Sequence, residues 1–174
     1  MSTIIPSWPA VEPIRTVRLK LEPLRVDHAD ELAPALDDGR LHAFIGGRPA
    51  SVDELRDRYA RQVVGQSTDG TYGWFNWIVR LRETGTAVGT VQATLSKEHG
   101  LTTADIAWIV AVPYQGRGYA GEAAAAMTTW LQHNGADILV AHIDPDHGAS
   151  IGVARHLGLR PSDIMVDGET RWTS

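Results

Sequence analysis

Along residues 16–24, TVRLKLEPL, apolar Val17, Leu19 and Leu21 alternate with Arg18, Lys20 and Glu22. A two-residue period marks a strand with one buried face. Asp27 then stands at a helix-cap position ahead of Ala29, Leu32, Ala33 and Leu36 at helical spacing, with Pro34 inside the pattern. Residues 37–49, DDGRLHAFIGGRP, read as a loop by their glycines and proline. Ser51 and Glu54 form a capping box, and Leu55, Tyr59 and Val63 carry a second helix to about residue 64. YGWFNWIVRLRE and AVGTVQATLS, joined by a Thr84-Gly85 turn, predict two hairpin-linked strands. Residues 103–112, TADIAWIVAV, are apolar enough to lie centrally in a sheet.

After Pro113 the pattern changes. A glycine-rich turn leads into a helix over residues 119–132, with Tyr119, Ala123, Met127 and Trp130 on one stripe, stopped by Asn134-Gly135. DILVAHID predicts another strand. A short helix follows over residues 150–157, ended by Gly158 with apolar Leu159 beyond it. Asp167-Gly168 predicts a tight turn between two short final strands. The strand–helix–strand unit after residue 103 requires a parallel crossover, whereas the earlier strands form an antiparallel meander. Mixed α+β architecture follows, as a single domain over residues 16–174 behind an extended, proline-bearing arm at residues 1–15.

Composition narrows the function classes. The 174 residues are 43% hydrophobic and 21% charged, which suits a soluble globular domain, and no apolar run reaches membrane-spanning length. Cysteine is absent, which removes thiolate nucleophiles, disulfides and zinc–thiolate sites together. With no export signal at the start, a cytoplasmic location is expected. The formal charge of -5 argues against nucleic-acid partners and fits a cationic acceptor, with an acidic surface tuned for solubility as the equal alternative.

The chemistry concentrates in PYQGRGYAGEAA, between the apolar strand and the helix. Gly116 and Gly118 remove side chains where backbone amides must converge, and the helix behind them presents unpaired N–H groups. Together they predict a phosphate or pyrophosphate cradle, to which Arg117 could add a charge. The plainer alternative is a tight turn without a ligand. Residues 116–121 also fit the dinucleotide fingerprint G-x-G-x-x-G, with Asp144 placed 23 residues beyond Gly121 as a ribose-binding acid. Against that reading, only two short strands follow and the preceding ones are antiparallel.

Gln115, Gly116, Arg117, Gly118, Tyr119 and Ala120 match the Q/R-x-x-G-x-G/A motif, and the chain thereby resembles the GNAT N-acetyltransferases. PDHGAS followed by VARHLGL is similar to that family's next signature, and residues 16–32 are similar to its ribosomal-protein N-terminal acetyltransferase branch. The resemblance covers roughly residues 16–160. It implies a mostly antiparallel sheet in which the fourth and fifth family strands splay apart at a bulge as a parallel pair, flanked by helices. Acetyl-CoA would lie in that gap, bordered by Val110, Ala111 and Val112, with its pyrophosphate on the backbone N–H groups of residues 115–120. A primary amine of a small molecule or peptide N-terminus would attack the thioester directly, and a backbone N–H near Val110 would polarise its carbonyl.

The resemblance also suggests catalytic groups. Asp105 stands where relatives place an acidic base, and its plainer role is that of an outward residue on an alternating strand. Ser150 matches the serine that would protonate the departing thiolate, or else it is a helix-start hydroxyl. Tyr114 offers another hydroxyl nearby. His147 replaces the family's usual asparagine among the cofactor contacts and lacks its paired donor and acceptor, so proton transfer is its alternative role. His142, Asp144, Asp146 and His147 invite a metal reading that their strand-end and cap contexts explain without metal, and no metal site is assigned. Trp74, Trp77, Trp108 and Trp172 are expected mainly in the core, with an aromatic acceptor pocket as the alternative. A catalytically silent acyl-CoA sensor and a nicotinamide-dependent enzyme remain as rival functions, and the short tail after Gly168 leaves the acceptor side open or completed by a second subunit in a homodimer.

Overall fold

A computed structural model describes residues 8–44 and 46–174, so residues 1–7 of the expected arm and Ile45 of the expected loop lie outside the described residues. Eight strands form one sheet in the order β1-β2-β3-β4-β5-β6-β8-β7. They are β1 (Ile14–Arg15), β2 (Leu19–Pro23), β3 (Gly73–Leu81), β4 (Ala87–Glu98), β5 (Leu101–Val110), β6 (Ile138–Ile143), β7 (Arg160–Val166) and β8 (Glu169–Thr173). Four helices flank the sheet: α1 (His28–Ala35), α2 (Val52–Gln62), α3 (Tyr119–His133) and α4 (Gly148–His156). Among the described residues, every pairing between these strands is antiparallel except β5 with β6.

Strand alternation decides which helices cover which face. Trp77 and Val79 on β3 enter a core with Ala123, Met127 and Leu131 of α3, while Ile78 between them packs with Leu32 of α1 and Leu55 and Tyr59 of α2. Fully burying each such side chain contributes about 1.5–3 kcal/mol. The two helix pairs therefore lie on opposite faces. Ser51 caps α2 by accepting from the Glu54 N–H, as its sequence predicts. Trp77 and Trp172 are core residues.

Several local expectations are corrected. Val17 does not join the buried stripe: it is 88% exposed, because the Thr16 N–H donates to the Leu19 carbonyl in a bend and the strand starts only at Leu19. Asp27 sits at the head of α1 without a side-chain cap bond and pairs with Arg25 instead. β5 stops at Val110, since Pro113 lies inside a 3-10 turn over Val112–Tyr114, and Ala111 and Val112 are thus beyond the strand. The register of β5 against β4 runs unbroken from Leu101 to Val110, so no bulge marks it; a register shift occurs elsewhere, between Val79 and Arg80. The stretch expected as an arm contributes Ile14–Arg15 to the sheet, and Trp8 packs against the main core.

Candidate functional site

The site begins where a strand pair comes apart. Among the described residues, β5 and β6 are paired only over Thr103–Asp105 and Ile138–Val140, after which β5 runs on through residues 106–110 with no strand paired on that edge. Peptide groups in a strand alternate direction. The Ala111 N–H donates to Val88 on β4, and the alternation from that bond turns the N–H groups of Ile106, Trp108 and Val110 toward the open side. Their ladder is incomplete and faces a gap.

At the wide end of the gap stands the glycine turn. Gly116 and Gly118 have φ of +74° and +81°, a conformation that most side chains resist. Gly118 is the N-cap of α3, and the first bond of the helix runs from the Glu122 N–H to its carbonyl. The N–H groups of Tyr119, Ala120 and Gly121 are consequently free of intrahelical partners and carry the positive end of the helix dipole. A Cβ on Gly116 would meet nothing within 4 Å. The turn is open and lined by main-chain N–H groups, a chemistry that fits an anion such as the diphosphate of coenzyme A.

One sequence expectation about this turn changes. Gln115 does not offer its N–H, which donates to Val112 at 3.2 Å, and its side-chain amide holds the Val110 carbonyl at 2.9 Å. Gln115 is a latch between the turn and the strand end. A Cβ on Gly118 would approach Arg18 Nη2 at 3.3 Å. Arg18 is a residue that the periodicity of its segment did not flag. It donates to the Arg117 carbonyl at 2.9 Å, pairs with Glu122 at 2.9 Å and lies over the Tyr119 ring. Burial pushes the Glu122 carboxyl up, but hydrogen bonds from Thr16 and Arg18 outweigh it and hold it below the usual range. The Arg117 side chain is exposed, near the Tyr114 ring, and does not line the cavity.

A cavity of about 580 Å³ connects the turn to the opposite face of the sheet. Val110, Gln115, Gly116, Gly118, Tyr119 and Ala120 line one end, together with His147 and Ser150 at the start of α4. Leu36, Leu55 and Tyr59 from α1 and α2 line the other, with Asn76, Gln92 and Ala107 on the sheet between. Trp108 is a half-buried wall of this cavity, and Trp74 flanks an adjoining groove, so the tryptophans divide between core and site. His147 Nε2 lies 3.4 Å from Ser150 Oγ, and the Phe44 ring stacks on the imidazole at 4.3 Å. Burial holds the His147 pKa below its ordinary value against the pull of Asp144.

Asp105 is not in the cavity lining. It stands at the last paired position of β5, at the apex of the splay, and His142 Nδ1 lies 3.3 Å from its carboxylate. Burial raises the Asp105 pKa, with His142 and Arg171 opposing. The four residues of the metal reading do not converge, since His142 turns to Asp105 and His147 to Ser150 and Phe44. Among the described residues, no cluster of three or more His, Asp or Glu is placed to hold a metal ion.

This frame was compared with known proteins. The sequence model described as the Acetyltransferase (GNAT) domain matches residues 18–160. The chain belongs to the GNAT acetyltransferase family. The family uses acetyl-CoA, and the chain is accordingly an acyl-CoA-dependent acyltransferase. No curated protein matches the sequence. Among solved structures, a GNAT-family acetyltransferase from Bacillus anthracis superposes with a TM-score of 0.74 at 18% identity, over 93% of this chain and 96% of that one. RimL, the ribosomal L7/L12 alpha-N-protein acetyltransferase solved in complex with coenzyme A, gives 0.76 at 16%, over 94% and 97%. An acetyl transferase from Salmonella typhimurium that modifies the N-terminal serine of ribosomal protein L7/L12 gives 0.74 at 15%, over 94% and 98%. These likenesses establish the fold. They leave no room for a dinucleotide half-domain, because the strand beside β6 on its far edge is the antiparallel β8. No helix among the described residues is long and apolar enough to cross a membrane.

Proposed function

We propose that this protein is an N-acetyltransferase that moves an acetyl group from acetyl-CoA to a primary amine by direct attack. The observation that carries the reading is the splay between β5 and β6, which opens onto one cavity reaching from the α3 glycine turn to the chamber under α1 and α2. Acetyl-CoA supplies the activated thioester and a thiolate leaving group. The free N–H groups at the start of α3 hold the diphosphate, and the outward-turned N–H groups of residues 106–110 orient the pantetheine arm and polarise the acyl carbonyl. Ser150 returns a proton to the leaving sulfur, and His147, whose Nε2 lies beside the Ser150 hydroxyl, relays its replacement from solvent.

Asp105 takes the proton of the incoming ammonium, directly or through one water, at the apex of the splay. Its raised pKa makes it a stronger base than an ordinary carboxylate. The acceptor is a small-molecule amine or a peptide N-terminus. A screen of primary amines and short peptides, following free thiol release from acetyl-CoA, tests the assignment. Turnover with at least one class, and a coenzyme A-dependent rise in Tm, are expected. Tm elevation without thiol release across the panel would leave a binding protein in place of an enzyme.

A further inference from the structure

The acceptor chamber carries a charge opposite to that of the chain. The formal charge is -5, yet among the described residues no Asp or Glu lines the cavity or the groove of about 350 Å³ that continues from it. Both spaces share Arg58, Gln62, Asn76 and Gln92, and Arg61 extends the groove. The arginines of α2 are not equivalent. Arg56 pairs with Asp30 and Asp53, whereas Arg58 and Arg61 have no carboxylate at ion-pair distance among the described residues. They stand three positions apart on one side of the helix, above the amides of Asn76 and Gln92. The phosphate cradle does not account for them, because α2 packs on the face of the sheet opposite α3.

Resting on the transferase reading above, we propose that the acceptor is an anionic amine: its nitrogen enters the splay while an oxyanion on the same molecule is held in the groove by Arg58 and Arg61. A guanidinium matches a carboxylate or phosphate with paired N–H donors. Two guanidiniums in the groove repel a second ammonium there, so polyamines are disfavoured. This reverses the cationic acceptor that the net charge alone suggested. The groove, and not the molecular average, sets the field at the reacting amine.

The test uses the full chain and three C-terminally amidated tripeptides, Ser-Glu-Glu, Ser-Gln-Gln and Ser-Lys-Lys, with O-phosphoethanolamine against ethanolamine as a separate arm. In at least one arm kcat/KM should be about tenfold higher for the anionic acceptor than for its neutral counterpart, as expected for a charged hydrogen bond, and lowest for the cationic one. The arm that responds distinguishes a carboxylate from a phosphate. In the R58Q/R61Q double variant that ratio should collapse to within twofold with the KM for acetyl-CoA unchanged, while Arg56→Gln should retain it. A wild-type ratio within twofold in both arms, or a ratio surviving in the double variant, overturns the proposal. A wild type that raises its Tm with coenzyme A but acetylates nothing would remove this proposal and the transferase reading together.

Discussion

Gly89 lies outside every motif, yet the geometry makes it a stringent test of how the cavity wall is built. It pairs with Val110 across β4 and β5. A Cβ at this position would lie 2.1 Å from the Ile109 carbonyl oxygen, 3.0 Å from Val110 Cα and 3.1 Å from the Ile109 carbonyl carbon. All three atoms are backbone, so no side chain can swing away. Ordinary carbon–oxygen contacts fall near 3.3–3.6 Å, so Gly89→Ala must drive the strand ends apart by about 1 Å. Overpacking of this kind costs about 1–3 kcal/mol or somewhat more. In a chain of this length a loss near 3 kcal/mol lowers Tm by roughly 6–12 °C. The displaced segment carries Ile109 and Val110, both in the cavity wall, and a 1 Å misplacement costs about 10²-fold in rate. Urea and thermal melts of Gly89→Ala, with kcat measured on the folded fraction, check both figures. Gly116→Ala is the control, since its positive φ costs about 1–2 kcal/mol but its Cβ meets no atom within 4 Å. A loss below 1 kcal/mol in Gly89→Ala, or a larger loss in Gly116→Ala, would refute the reasoning.

Asp105→Asn should lower turnover about 10²-fold or more near neutral pH and progressively less at high pH, where the amine is already deprotonated, with coenzyme A affinity unchanged; a uniform loss across pH would remove Asp105 as the base. Ser150→Ala should reduce kcat about 10²-fold without altering the KM for acetyl-CoA, and a change confined to KM would leave Ser150 only a helix-start role. Glu22 anchors a cluster in which Arg25 and Arg80 pair with it at 2.6 and 2.9 Å and Arg80 continues to Glu31. Burial alone would raise the Glu22 carboxyl, but the two guanidiniums override it and bring its pKa down from 4.5 to about 2. The folded-state value is depressed, so the stabilisation is complete above pH 4.5 and is lost as pH falls toward 2. Acid titration of Glu22→Gln should therefore show a shallower stability loss in that window than the wild type, and identical slopes would exclude Glu22 as a source.

The order of helices and strands, the glycine turn at the head of α3 and the final hairpin were written locally. Asp167 and Gly168 take φ of +50° and +82°, the paired positive values that an Asp-Gly hairpin turn demands. Such features depend on a residue's own backbone preferences and on which side of its element faces the core, so periodicity and turn chemistry reveal them. The splay was not written that way. Residues 106–110 mix buried and exposed positions much as residues 101–105 do, yet β6 leaves β5 after Asp105. Only the family resemblance anticipated that gap. The contacts of Arg18 with Glu122, His142 with Asp105 and Phe44 with His147 bring together residues separated by 37 or more positions, and no local pattern encodes such meetings. The charge of the acceptor chamber followed the same rule: the sum of charges is a property of the chain, but which arginines remain without a carboxylate is decided by packing.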